Sequence, residues 1–207
     1  MKKFFILSIV SLFSLSAFAF EGIIEQVYTD AISKEQKNFV WYISGDKLRL
    51  DIISGEESMT IIPNFSALSL AIFGNKADQD GNFWYSNSAL SDIKVNAPSL
   101  RLLESGTSDF KGQTAQELKL MSDKGLVVVQ YLNNIALNMS NMKAVFAESV
   151  EFGAIALNQD SGFPVSSMLM TNSDAIYTLT TKSITEKSLN DSDFKVPSNY
   201  KLFTGIK

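Results

Sequence analysis

The chain has 207 residues, with 18 Lys and Arg against 22 Asp and Glu, and it contains neither His nor Cys. Those absences exclude Ser-His and Cys-His nucleophile systems, the usual zinc sites and any disulfide. The acidic balance opposes nucleic acid, which is bound through basic phosphate contacts, and leaves no polybasic patch for an anionic membrane surface.

At the start, Lys2 and Lys3 precede the apolar run FFILSIVSLFSLS, which is followed by Ala17-Phe18-Ala19. A charged beginning, a short apolar stretch and a small-x-small site predict a secretory signal peptide over residues 1–19, cut after Ala19. The run is short for a membrane span, and no later segment approaches the length of one. No Cys follows it, which excludes lipoprotein-type attachment. Residues 20–207 are then expected to form one domain, exported to the periplasm or secreted, and monomeric. Without Lys2 and Lys3 the balance is 16 positive against 22 negative residues, a net charge of −6.

The segment EGIIEQVYT (21–29) reads as a first strand. Residues 38–52, NFVWYISGDKLRLDI, read as a hairpin turning at Gly45-Asp46, with Gly at the position of a type II′ turn that needs a positive φ. That register sets Phe39 opposite Ile52, Trp41 opposite Leu50 and Ile43 opposite Leu48, all on one face. Tyr42 then pairs with Arg49 on the other face. A second turn at Gly55-Glu56 sets Met59 opposite Ile52 and Ile61 opposite Leu50. A slip of one residue would break the apolar face, so the register is well specified.

FSALSLAIF (65–73) reads as a strand, although its apolar spacing also suits a helix. GNKADQDGN (74–82) is a polar loop, and FWYS (83–86) a short aromatic strand. Residues 87–99 hold a short helix or a connection. Residues 100–106 lead to Lys111-Gly112. QTAQELKLM (113–121) then turns at SDKG and returns as LVVVQYL (126–132), whose Val cluster favours β structure. NMSNMKAVFAESV (138–150) is the helix candidate, since Met139, Met142, Val145, Phe146 and Val150 form one apolar stripe. FPVSSMLMT (163–171) and AIYTLTTKSI (175–184) return to strands, and the tail LNDSDFKVPSNYKLF alternates polar and apolar residues. The expected total is nine or ten strands and one or two helices.

Burying one large apolar side chain is worth about 1.5–3 kcal/mol, so six such residues left in water would forfeit roughly 10 kcal/mol, the scale of a whole folding free energy. The face must be covered. A helix of about 13 residues is some 20 Å long, too short to cover a sheet this wide. Either the sheet curls and closes on itself, or it stays half closed with a gap under the helix for an apolar ligand.

The stretches FEGIIEQVYTD, ISGDKLRLDI, FKGQTAQELKLMSDKGLVVVQYLNNI, SGFPVSSMLM and SDFKVPSNYK occur in that order. The series resembles a bacterial exported family of unknown function that is itself similar to the periplasmic lipoprotein carriers of the LolA and LolB type. The resemblance spans most of residues 20–202. It implies a mainly β (α+β) fold: an incomplete, strongly curved antiparallel β-barrel with one or two helices over its open side, which in the carriers holds lipid acyl chains. Arg49 matches a basic position common in that family, and Phe194, Pro197 and Tyr200 match its terminal F-x-x-P-x-x-Y pattern, a closing strand and chain lock.

The expectation is a non-catalytic protein that binds lipid or lipoprotein acyl chains in a cavity lined by Phe39, Trp41, Leu48, Leu50, Ile52, Ile61, Met139, Met142 and Phe146. Tyr42, Arg49 and Trp84 would form the rim. No catalytic residue, metal or cofactor is expected. The alternatives are a filled barrel serving as an envelope interaction module through its aromatic strand, and a carboxylate-based hydrolase. Glu148 and Glu151, three apart, come with no base or nucleophile and read as a solvated face. Asp78 and Asp80 lack the further oxygen ligands of a calcium loop. Met139-x-x-Met142 and Met168-x-Met170 could ligate Cu(I), but with neither His nor Cys beside them they read as packing. The Tyr42–Arg49 pair is explained by a cation–π contact, with a headgroup or lid contact as its functional reading.

Overall fold

A computed structural model describes residues 20–92, 99–135, 162–172 and 174–204. Twelve strands form a single sheet. β1 (Glu21–Asp30), β2 (Gln36–Ser44), β3 (Lys47–Ser54), β4 (Glu57–Asn64), β5 (Ser69–Gly74) and β6 (Phe83–Ala89) make a meander. β7 (Arg101–Phe110), β8 (Gln113–Ser122), β9 (Gly125–Leu132), β10 (Phe163–Thr171) and β11 (Asp174–Glu186) make a second one. β11 pairs with β1 and joins the two, and β12 (Tyr200–Leu202) lies beside β6, giving the order β12-β6-β5-β4-β3-β2-β1-β11-β10-β9-β8-β7.

The hairpin register is the one the apolar pattern dictates. Phe39 faces Ile52, Trp41 faces Leu50, Ile43 faces Leu48, and Ile61 and Met59 continue the rows on β4. Gly45 (φ +60°) and Gly55 (φ +59°) occupy the left-handed corners of the two turns, a conformation glycine adopts without a steric penalty.

Several expectations need correction. The strand expected over 65–73 begins only at Ser69; the residues before it turn, with Leu68 at φ +49°. β7 runs from Arg101 to Phe110, where residues 100–106 are expected only to lead to Lys111-Gly112. Among the described residues there are 12 strands instead of nine or ten, and β12 pairs with β6 in parallel, so the sheet is not wholly antiparallel. The sheet is open, because β7 and β12 are its two edges. Among the described residues there is no α-helix, only short 3₁₀ segments at Leu90–Asp92 and Asp191–Phe194. The helix candidate at 138–150 lies outside the described residues, as do residues 1–19. No helix among the described residues is long and apolar enough to cross a membrane.

The sheet bends inward at β1 and β11. The rings of Trp41 on β2 and Phe163 on β10 meet edge to face with centroids 5.4 Å apart. Those strands are three spacings apart, roughly 14 Å on a flat sheet. Lys111, in the β7–β8 turn, likewise reaches β11 and donates to Thr181 O at 3.0 Å and Lys182 O at 2.9 Å. Lys182 is the extra residue where the β1–β11 register shifts, so Lys111 satisfies carbonyls at that irregularity. One apolar cluster accordingly joins Leu48, Leu50 and Ile61 to Phe110, Ala115 and Phe163, from opposite halves of the sheet. A second cluster, with Leu118, Leu120, Val127, Val129, Tyr131, Leu169 and Tyr177, fills the inner face of β8–β11.

The outer face of the first meander is crossed by the tail between β11 and β12. The backbone N–H of Leu189 donates to Glu21 Oε1 at 2.8 Å, Asp191 pairs with Lys47, and Asp193 O accepts from Arg49 Nη1 at 3.3 Å. The tail ends against β6, where Tyr200 donates its hydroxyl to Gly74 O at 2.9 Å and packs on Phe73 and Phe83. Thr60, Ile61, Ile62 and Pro63 are buried in succession, so β4 is covered on both faces.

Candidate functional site

The apolar face predicted from the hairpin is assembled as one surface. Trp41 and Leu50 are fully buried, Leu48, Phe39 and Ile61 nearly so, and Ile52 packs against them partly buried. Strand alternation puts them on the inner side, and the bend of the sheet brings Phe163, Val165 and Leu179 from the other half onto them. An aromatic series, Tyr177 stacked on Tyr28 at 5.6 Å and Tyr28 edge-on to Phe39 at 6.2 Å, extends this face along β11, β1 and β2. Met139, Met142 and Phe146 lie outside the described residues. The segment that contains them leaves β9 at Leu132 and re-enters at Phe163, which face each other across the β9–β10 pair. Both are buried in the same cluster as Trp41.

Polar groups that sequence reasoning missed lie in this surface. The indole N–H of Trp41 donates to Gln26 Oε1 at 2.8 Å, and Gln26 Nε2 donates to Pro164 O at 2.8 Å and to Thr181 Oγ1 at 3.1 Å. Thr181 in turn donates to Val165 O at 2.7 Å. The available signal was parity: Gln26 shares its phase with Ile24, which pairs with Trp41. Further along the inner face, the hydroxyls of Tyr131 and Ser167 are buried without a hydrogen-bond partner among the described residues. Such an orphan costs about 1–3 kcal/mol, so two in one cluster call for an explanation. Burial holds the Tyr131 hydroxyl protonated far above the ordinary tyrosine range, and nearby Tyr177 adds to the effect.

The three expected rim residues do not meet. Tyr42 and Arg49 pair as predicted, with the guanidinium 4.8 Å from the ring centroid, but on the outer face beneath the tail. Arg49 makes a two-point pair with Asp51 (2.8 Å at both oxygens), and Thr60 Oγ1 donates to the same carboxylate at 2.7 Å. Burial opposes the Arg49 charge, but the hydrogen bonds and charge of Asp51 outweigh it, and its pKa rises. Burial also raises the pKa of Tyr42, with the Asp51 charge adding to it. Trp84 lies on β6, beyond β4 and β5. Its indole donates to Asp78 at 2.6 Å, its ring meets Phe203 edge-on, and Lys201 lies 5.9 Å from the ring centroid.

Of the carboxylates singled out in the sequence, Asp78 is engaged structurally, and Asp80 contributes only its backbone N–H to it. Asp78 accepts from Trp84 Nε1 and from the backbone N–H groups of Asn82 and Asp80, which hold its pKa below the usual carboxylate value. Among the described residues no three His, Cys, Asp or Glu side chains come together as a metal site. A depression of about 260 Å³ lies between the tail and the β3–β4 end of the sheet, bounded by Leu48, Ile62, Phe65, Phe194 and Lys195 among others.

No protein-family profile matches this chain, and no curated protein matches it. Among solved structures the chain is similar to PNGF-II in a C2 space group, at 13% identity and a TM-score of 0.49 over 87% of this chain. It spans 30% of the length of that protein, and a likeness of this degree carries no argument about what the chain does.

Proposed function

We propose that this chain is an exported, non-catalytic carrier-type protein that binds lipid or lipoprotein acyl chains against the inner face of its sheet. In this reading the sheet is the wall of an incomplete barrel of the LolA and LolB type, whose cover is the helix expected over residues 138–150. The observation that carries the proposal is the apolar surface running through β2, β3 and β4, continued by Phe163 and Val165 on β10. The positions of Leu132 and Phe163, the last residue of β9 and the first of β10, support it, since both are buried in the same apolar cluster as Trp41. An acyl chain has the one chemistry that such a surface recognises, apolar area without hydrogen-bonding groups.

The test uses Trp41 as reporter. Brominated fatty acid added to the protein should quench the short-wavelength emission of this buried indole, saturably and with transfer back to vesicles. Quenching confined to the exposed Trp84 would refute the proposal. A second reading, an interaction module working through its edge, has its own support in the exposed apolar group of Trp84, Leu202 and Phe203 beside β12. It predicts that substitution of Trp84 abolishes partner capture without altering acyl-chain uptake.

A further inference from the structure

Ser167 sits in the middle of β10, opposite Val129 on β9 and Leu179 on β11. Tyr131 lies two residues from Val129 on the same face of β9, and Tyr177 two residues from Leu179 on the same face of β11. These are diagonal cross-strand neighbours, within reach of long side chains. Tyr131 and Tyr177 thus flank Ser167 from either side on the inner face, and the two tyrosines are close enough to interact electrostatically. Tyr131 is 0% exposed, Ser167 1% and Tyr177 3%. Their apolar neighbours in the cluster are Leu118, Leu120, Val127, Val129 and Leu169, and none of the buried polar residues among the described residues is charged.

Folded proteins bury few hydroxyls without a partner, and a core needing none would carry Phe and Ala at these two positions at less cost. The chemistry of the missing partner can be narrowed. A neutral tyrosine hydroxyl is a good donor, so the partner offers an oxygen acceptor. A carboxylate or phosphate buried there would lack a counter-charge, which favours a neutral acceptor on an otherwise apolar molecule. We infer that Tyr131 and Ser167 form a hydrogen-bonding subsite for the ester carbonyl of an acylated ligand. The inference rests on the carrier reading above and adds to it the chemical class of the ligand's polar end.

The experiment compares methyl dibromostearate with dibromooctadecane, an ester and a hydrocarbon with the same quenching atoms, on the wild-type protein, Tyr131→Phe and Ser167→Ala. The wild type should bind the ester more tightly than the hydrocarbon. Each variant should weaken ester binding by roughly three- to tenfold, leave hydrocarbon binding unchanged, and keep or raise the melting temperature of the ligand-free protein. Equal binding of the two probes by all three proteins would overturn the subsite and leave the carrier reading standing. A lowered melting temperature with unchanged ester binding would also overturn it, assigning the hydroxyls to a buried water. Failure of the wild type to bind either probe would remove the carrier reading, and the subsite with it.

Discussion

Gln26 on β1 accepts the indole N–H of Trp41 on β2 at 2.8 Å and donates to Pro164 O on β10 at 2.8 Å, so one amide links strands on both sides of the bend. Its further bond to Thr181 on β11 makes it the polar centre of an otherwise apolar surface. Replacing Gln26 with Leu keeps the volume but orphans the Trp41 donor and the Pro164 acceptor. Urea unfolding should show a loss of about 2–4 kcal/mol, and a near-neutral result would mean that these bonds do not hold the bend.

Arg49 is bound to the protein's own groups. Its two-point contact with Asp51 depends on the planar fork that Lys lacks, and the Asp51 side chain is only 13% exposed. Arg49→Lys is expected to lower stability by about 1–2 kcal/mol while leaving acyl-chain binding unchanged. Loss of binding at unchanged stability would return this residue to a headgroup role.

Tyr200 fixes the end of the tail through its hydrogen bond to Gly74 O and its contacts with Phe73 and Phe83. Tyr200→Ala should release β12 from β6. Amide hydrogen exchange should then accelerate at Phe203, which donates to Tyr85 O, and the unprotected β6 edge should promote association. Unchanged exchange at Phe203 would show that the rest of the tail holds the strand by itself.

The pH response follows from composition and from the depressed carboxylates. Asp30, through the backbone N–H groups of Ser33 and Ile32, Asp78, through Trp84, and Asp191, through Lys47, are all held below the usual value of 3.8. A depressed carboxylate contributes stability that is full above its unfolded pKa and lost as pH falls through its folded pKa. Stability should therefore fall below about pH 4, and with no His or Cys it should be flat from about pH 5.5 to 8.5. Thermal unfolding across that range checks this, and a step near pH 6–7 would contradict it.

The two-residue turns and the alternation of Phe39, Trp41, Leu48 and Leu50 made the first meander legible, because a one-residue slip flips every side chain to the wrong face. Turn chemistry also placed the Lys111-Gly112 and SDKG corners. The bend was not legible. It depends on register shifts at Glu25/Gln26 and Pro164/Ser166, which no local pattern announces, and on Phe163 meeting Trp41 across the two strands between them. β7 was underestimated because ESGTSDF carries little apolar alternation; its strand character comes from pairing with β8. The terminal F-x-x-P-x-x-Y resemblance implied a closing strand, but its parallel pairing with β6 depends on a tail that crosses the whole first meander, which no local pattern announces. The apolar lining was legible for the same reason as the register, whereas the inner hydroxyls of Tyr131 and Ser167 became visible only when burial and partners were known.

Native mass spectrometry of the protein purified from its host distinguishes a carrier from a protein that keeps its apolar face to itself. The carrier account predicts a protein mass accompanied by adducts of lipid or acylated species, displaced by added fatty acid. A clean ligand-free mass that takes up no added fatty acid would contradict it.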